Sequence, residues 1–178
     1  MVLMRRIMEG LGGHGAENIQ RYKMSEKLIS IGDDYWIENE AGEELFYVDG
    51  KALRVRNTLI IKDLKGNELY KLKEKLLRVR DTMDIMDANG KTVATIKKAL
   101  IAPLRNRWKV EVANGPEMDI QGNILDHEYK IAAGREKVAE VSKKWFKIKD
   151  TYGVEIKPGQ DNALILTITA ALDQMVHD

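Results

Sequence analysis

The stretch Leu53–Gly66, LRVRNTLIIKDLKG, returns as LRVRDTMDIMDANG at Leu77–Gly90, a shift of 24 residues from Leu53 to Leu77. Eight of the fourteen positions are identical, where ordinary residue usage gives roughly one by chance. A recurrence at this period marks repeated supersecondary units. In each copy a β-type segment ends at an aspartate, with glycine three positions later: Asp63-Leu-Lys-Gly66 and Asp87-Ala-Asn-Gly90. Aspartate opening a type I turn accepts hydrogen bonds from the backbone ahead of it, and glycine at the fourth position takes the left-handed φ of a bulged hairpin. Each copy therefore reads as a hairpin.

The same punctuation recurs at Asn39-Glu-Ala-Gly42, Ala113-Asn-Gly115, Ala132-Ala-Gly134 and Asp150-Thr-Tyr-Gly153. Between these turns lie short runs rich in β-branched and aromatic residues, such as Tyr35–Ile37, Leu45–Val48, Thr58–Ile61, Thr92–Ile96 and Trp108–Val112, which mostly alternate apolar with polar. Counted from Tyr22 to Lys157, they predict roughly ten to twelve strands, too many for one open sheet in a domain this small. A closed barrel or a sandwich is required. The aromatic residues Trp36, Trp108, Trp145, Tyr35, Phe46, Tyr47 and Phe146 are all placed on strands by this reading.

The last segment, PGQDNALILTITAALDQMVHD, breaks the pattern. Pro158 and Gly159 stop the preceding strand, and Asp161 or Asn162 caps a helix. The apolar residues from Ala163 to Val176 cover nearly its whole circumference, and such a helix lies either in a membrane or inside a protein. A many-stranded barrel with this helix as its core reconciles the two halves of the chain. The β-branched run Ile165–Thr169 leaves a thirteenth strand as the alternative.

Five segments in order resemble the LURP-one-related branch of the tubby C-terminal-like superfamily, over Tyr22 to Asp178. They are YKMSEKLISIGDDYWIENEAGEELFYVDGK, the repeated LRVRNTLIIKDLKG, ATIKKAL at Ala94–Leu100, VSKKWFKIKDTYGVEI at Val141–Ile156 and DNALILTITAALDQM at Asp161–Met175. The resemblance implies a closed antiparallel β-barrel of about 12 strands enclosing a hydrophobic C-terminal α-helix. It divides the chain into residues 1–20, a flexible or short helical leader, and 21–178, one barrel domain. Tubby proteins bind phosphoinositides and phospholipid scramblases share the superfamily, whereas plant LURP-one relatives are associated with defence. Fold alone does not carry those activities across. The chain has no calcium loop of the D-x-D-x-D-G kind and no cysteine-rich segment.

Charge narrows the partners. Lys and Arg total 29 against 28 Asp and Glu, a net of +1, so whole-molecule attraction to nucleic acid is not indicated and only local patches attract anions. Arg54 and Arg56 alternate with Leu53 and Val55, which on a strand sets both arginines on one face. Arg78 and Arg80 repeat the arrangement and Lys71 and Lys73 alternate likewise, with Lys97, Lys98, Arg105, Arg107 and Lys109 as a second cluster. Arg54, Arg56, Lys71, Lys73, Arg78 and Arg80 are the candidate anion or phospholipid site, since arginine forks suit phosphate oxygens. Glu68, Glu74, Asp81 and Glu111 stand among these bases, as they do on any solvated strand face.

Catalytic chemistry finds little footing. Cysteine is absent, and His14, His127 and His177 stand apart with no H-E-x-x-H, G-x-S-x-G or paired ligand spacing. Asp126-His127-Glu128 reads as a loop. GLGGHG at Gly10–Gly15 lacks the Walker lysine and reads as a linker. No enzyme activity, metal or cofactor is expected. Met1, Met4, Met8 and Leu11 share a helical face that suits a partner protein. The longest apolar run falls short of the roughly 18 residues that span a bilayer. The expected protein is a cytoplasmic binding or scaffold module that meets an anionic phospholipid headgroup at a membrane surface. The alternative is a protein-interaction module in a stress or defence process.

Overall fold

The computed structural model describes residues 19–26, 34–50, 58–73, 82–99 and 107–177. Twelve strands follow one another: β1 (Gln20–Ser25), β2 (Tyr35–Asn39), β3 (Glu44–Asp49), β4 (Thr58–Lys62), β5 (Glu68–Lys73), β6 (Thr82–Asp87), β7 (Thr92–Lys98), β8 (Arg107–Val112), β9 (Met118–Asn123), β10 (Glu128–Ala133), β11 (Glu136–Ser142) and β12 (Thr151–Ile156). The helix α1 (Asn162–His177) comes last. Each strand pairs antiparallel with the next in sequence, and β1 closes on β12 from Gln20↔Ile156 to Ser25↔Thr151. Closure leaves no sheet edge and settles the barrel against the sandwich.

The repeat is visible as three hairpins with the same turn, β2–β3, β4–β5 and β6–β7. Gly42, Gly66 and Gly90 carry φ values of 79°, 84° and 82°, where an L side chain is strained. Asp63 Oδ1 accepts from the N–H groups of Lys65 and Asn67, and Asp87 Oδ1 from those of Asn89 and Lys91. Asn39 does the same for Ala41 and Glu43. Each hairpin also slips register at one place, Ile37/Glu38, Ile61/Lys62 and Ile85/Met86. The Asx turn and its bulge are one device used three times. The Leu53–Arg56 and Leu77–Arg80 halves of the repeat lie outside the described residues, as do the N-terminal leader and its methionine face.

Inward positions such as Ile37, Ile61, Leu72, Ile85, Ile96, Val110, Ile120 and Val154 are buried and meet α1, whose residues from Ala163 to Gln174 are all buried. Twelve strands already close, so no place remains for a thirteenth. The two helix threonines return their hydroxyls to the helix: Thr167 donates to the Ala163 carbonyl at 2.7 Å and Thr169 to the Ile165 carbonyl at 3.0 Å. Asp161 is the cap, with Oδ1 accepting the Leu164 N–H at 3.0 Å. No helix among the described residues is long and apolar enough to cross a membrane.

The barrel has two unlike ends. Short turns such as β2–β3, β4–β5, β6–β7 and β10–β11 gather at one, where α1 enters and Asn162 donates to Gln20 and the Tyr22 hydroxyl at 2.5 and 2.7 Å. At the other end α1 finishes, among the β9–β10 and β11–β12 connections and the strand ends that bound residues 26–34, 50–57, 74–81 and 99–106.

Candidate functional site

The outer wall is charged and largely balanced, although Lys130 of β10 is exposed with no ion pair among the described residues. Lys23 meets Glu38, Lys62 meets Asp49 at 2.8 Å, Lys71 meets Glu68 at 2.6 Å, Lys97 meets Glu111 at 2.8 Å and Lys109 meets Glu117 at 2.6 Å. Lys97 and Lys109 stand in register across β7 and β8, and each is neutralised by its own carboxylate. Such exposed pairs contribute little to stability. Lys97→Ala is expected to shift the unfolding free energy by less than about 0.5 kcal/mol in urea titration. Of the six candidate residues, Lys71 is thus half-buried and paired, and Lys73 ends β5 opposite Thr58. Arg54, Arg56, Arg78 and Arg80 lie outside the described residues, in the β3–β4 and β5–β6 connections.

A different cluster sits in the β11–β12 connection. Residues 143–149, KKWFKIK, hold four lysines and no acid. Lys143 is tied down, its ammonium 2.8 Å from Glu26 and its N–H donating to Glu128. Lys144, Lys147 and Lys149 are exposed and make no ion pair among the described residues. Trp145 and Phe146 are not on a strand, contrary to the reading from β propensity. They fold back onto the outer wall, where Gly153 of β12 admits them: a Cβ there would stand 2.8 Å from Trp145 and 3.0 Å from Phe146. The Arg21 guanidinium, whose pKa is raised by its hydrogen bond to Glu155, completes the stack 5.0 Å from the Trp145 ring centre.

Further ties brace the connection. Ser142 donates to both Glu128 oxygens at 2.9 and 3.0 Å, Thr151 donates to the Ile148 carbonyl at 2.7 Å, and Glu26 N–H donates to the Asp150 carbonyl at 2.9 Å. Asp150 itself takes φ 57°. The carboxylates of Glu26 and Glu128 are engaged beneath the loop, while Asp126 is exposed on the neighbouring β9–β10 connection and held by Asn123. The lysine ammonium groups of 144, 147 and 149 therefore stand without a carboxylate partner among the described residues of this end.

Beneath them the end of the barrel is polar inside. Asp173 of α1 is buried, accepting from His127 Nε2 at 2.7 Å and from the Tyr152 hydroxyl at 2.5 Å. His127 stacks on Tyr152 with ring centres 4.1 Å apart. Burial, and then the Asp173 charge, push the Tyr35, Tyr129 and Tyr152 phenols well above the ordinary tyrosine range, so all three stay neutral. Asp173, His127, Tyr129 and Tyr152 are buried, and the contacts among Asp173, His127 and Tyr152 tie the end of α1 to the wall. Among the described residues no group of His, Cys, Asp and Glu has metal-site spacing.

These features define a class: a closed up-and-down barrel threaded by its own C-terminal helix, with surface chemistry at one end. The profile of the LURP-one-related family matches residues 20–173, and the chain belongs to that family. An X-ray structure of an Arabidopsis thaliana protein has the same fold, with a TM-score of 0.66 at 17% identity over 89% of this chain and 92% of that one. No curated protein sequence matches significantly. Family and closed barrel together suggest a binding or scaffold module.

Proposed function

We propose that the protein is a non-enzymatic module that recognises anionic phospholipid headgroups at a membrane surface, through the end of the barrel where the helix finishes. One observation carries this reading: Lys144, Lys147 and Lys149 crowd the acid-free run 143–149 and make no ion pair among the described residues, whereas most wall lysines, Lys130 apart, are answered by carboxylates. Arg54, Arg56, Arg78 and Arg80 lie in connections whose flanking strand ends belong to the same end. Each base near an anionic surface adds roughly 1 kcal/mol, an attraction that fades within a Debye length.

The test is vesicle co-sedimentation with neutral, phosphatidylserine-rich and phosphoinositide-doped liposomes, at low and physiological salt. Wild type is compared with Lys144→Ala/Lys147→Ala/Lys149→Ala and with Arg54→Ala/Arg56→Ala. Anionic vesicles are expected to bind, with roughly a hundredfold loss in the triple variant. Equal binding to neutral and anionic vesicles, or none to either, overturns the reading and turns the search to a protein partner.

A further inference from the structure

We infer that the β11–β12 connection does more than touch headgroups: it carries an insertion element, with Ile148 entering the apolar margin of an anionic bilayer between Lys147 and Lys149. The inference rests on the lipid reading above. Ile148 is 55% exposed, and Leu125 of the adjacent β9–β10 connection is 58% exposed. A single exposed aliphatic residue is ordinary. Its frame is not.

A flexible loop would fold such a side chain back against the wall. This one is braced on both sides. Trp145 and Phe146 are spent on the Gly153 surface before it, and after it the Thr151 hydroxyl grips its carbonyl and Asp150 turns left-handed. The backbone around Ile148 is thus fixed with the side chain facing water, so little conformational entropy is lost when it enters a bilayer. Lysines stand directly on either side of it. Their long aliphatic stems let the ammonium groups stay at headgroup level while the residue between them goes deeper. This alternation of base and aliphatic fits an anionic bilayer, which offers charge and an apolar layer a few ångströms apart.

The experiment uses the full chain and phosphatidylserine-rich vesicles, with neutral vesicles beside them. Ile148→Ser is expected to bind roughly tenfold more weakly than wild type, the effect of losing one buried aliphatic side chain. Ile148→Trp is expected to keep binding and to gain a blue-shifted emission component quenched by brominated lipid, absent from the wild-type tryptophans. Thermal unfolding of both variants is expected to match wild type, because the side chain is exposed. If Ile148→Ser binds as tightly as wild type while Lys144→Ala/Lys147→Ala/Lys149→Ala loses binding, headgroup recognition stands and insertion is overturned. If wild type binds no anionic vesicle, the lipid reading itself fails and insertion falls with it.

Discussion

Asp173→Ala is expected to lower the unfolding free energy by about 3 kcal/mol or more, read from urea or guanidinium titration. The carboxylate is the acceptor that two buried donors share, His127 Nε2 at 2.7 Å and the Tyr152 hydroxyl at 2.5 Å. Alanine removes the acceptor from both in the buried interior, and each donor so left costs about 1–3 kcal/mol. Relief of the buried charge offsets part of this, and the cavity left beside the two rings adds to it. The comparison that separates these effects is Asp173→Leu with His127→Leu and Tyr152→Phe. Removing donors and acceptor together should restore much of the lost stability, since apolar replacement of a whole buried polar group is often neutral. A wild-type midpoint for Asp173→Ala would mean that the cluster does not hold the helix end.

Such a cluster needs a reason to exist in an otherwise apolar core. A helix that is greasy on every face can slide or rotate inside a barrel at little cost, because one aliphatic contact replaces another. One buried carboxylate with fixed donors removes that freedom: Asp173 finds partners only at a single depth and rotation. At the opposite end, Asp161 caps the helix and takes the Tyr70 hydroxyl, and Asn162 reaches Gln20 and Tyr22. The helix is pinned at both ends by polar contacts and packed between them by apolar ones.

The hairpins could be read from the chain because their cause is local. Asp63 and Gly66 lie three positions apart and bond to each other's turn, so the signal and the structure share a window. The central helix was legible for a similar reason: a helix apolar all round lies in a membrane or inside a protein, and a many-stranded barrel offers it the inside. His127 shows the opposite case. Nothing near it in sequence hints at Asp173, its partner 46 residues away, and Asp126-His127-Glu128 reads only as a loop. The usable signal was on the other side, in an acid set within an apolar helix, which must find donors in the wall. Trp145 and Phe146 misled for a different reason. Aromatic residues favour strands because strands offer half-buried surfaces, and Gly153 provides such a surface to a loop instead. The lysines around them carried the clearest surface signal in the chain, four bases without an acid, yet alternating bases on strands drew the eye first. On the wall, Lys71, Lys97 and Lys109 are paired with carboxylates.

Gly122→Ala is expected to rival the loss at Asp173, at about 3 kcal/mol or more, although it adds only one methyl group. Gly122 lies on β9 opposite Tyr129 with φ 135°, a conformation open essentially to glycine alone. A Cβ there would stand 2.5 Å from the Glu128 carbonyl oxygen and 2.7 Å from Tyr129 Cα. Both obstacles are backbone, so no rotamer change relieves them; β9 and β10 must part. Gly134 supplies the control. It is also left-handed, φ 61°, but a Cβ there meets nothing within 4 Å, so Gly134→Ala should cost only the conformational strain of about 1–2 kcal/mol. The difference between the two variants isolates the backbone collision. Glu128 is what the β11–β12 connection hangs from, through Ser142 and the Lys143 N–H, and His127 is its neighbour in the chain. Parting β9 from β10 therefore disturbs the lock on the helix and the loop that carries the lysines together. If Gly122→Ala unfolds no more readily than Gly134→Ala, the close approach is not what positions this end of the barrel. If it does, and the folded variant also loses anionic vesicle binding while Gly134→Ala keeps it, one glycine contact will have been shown to support both.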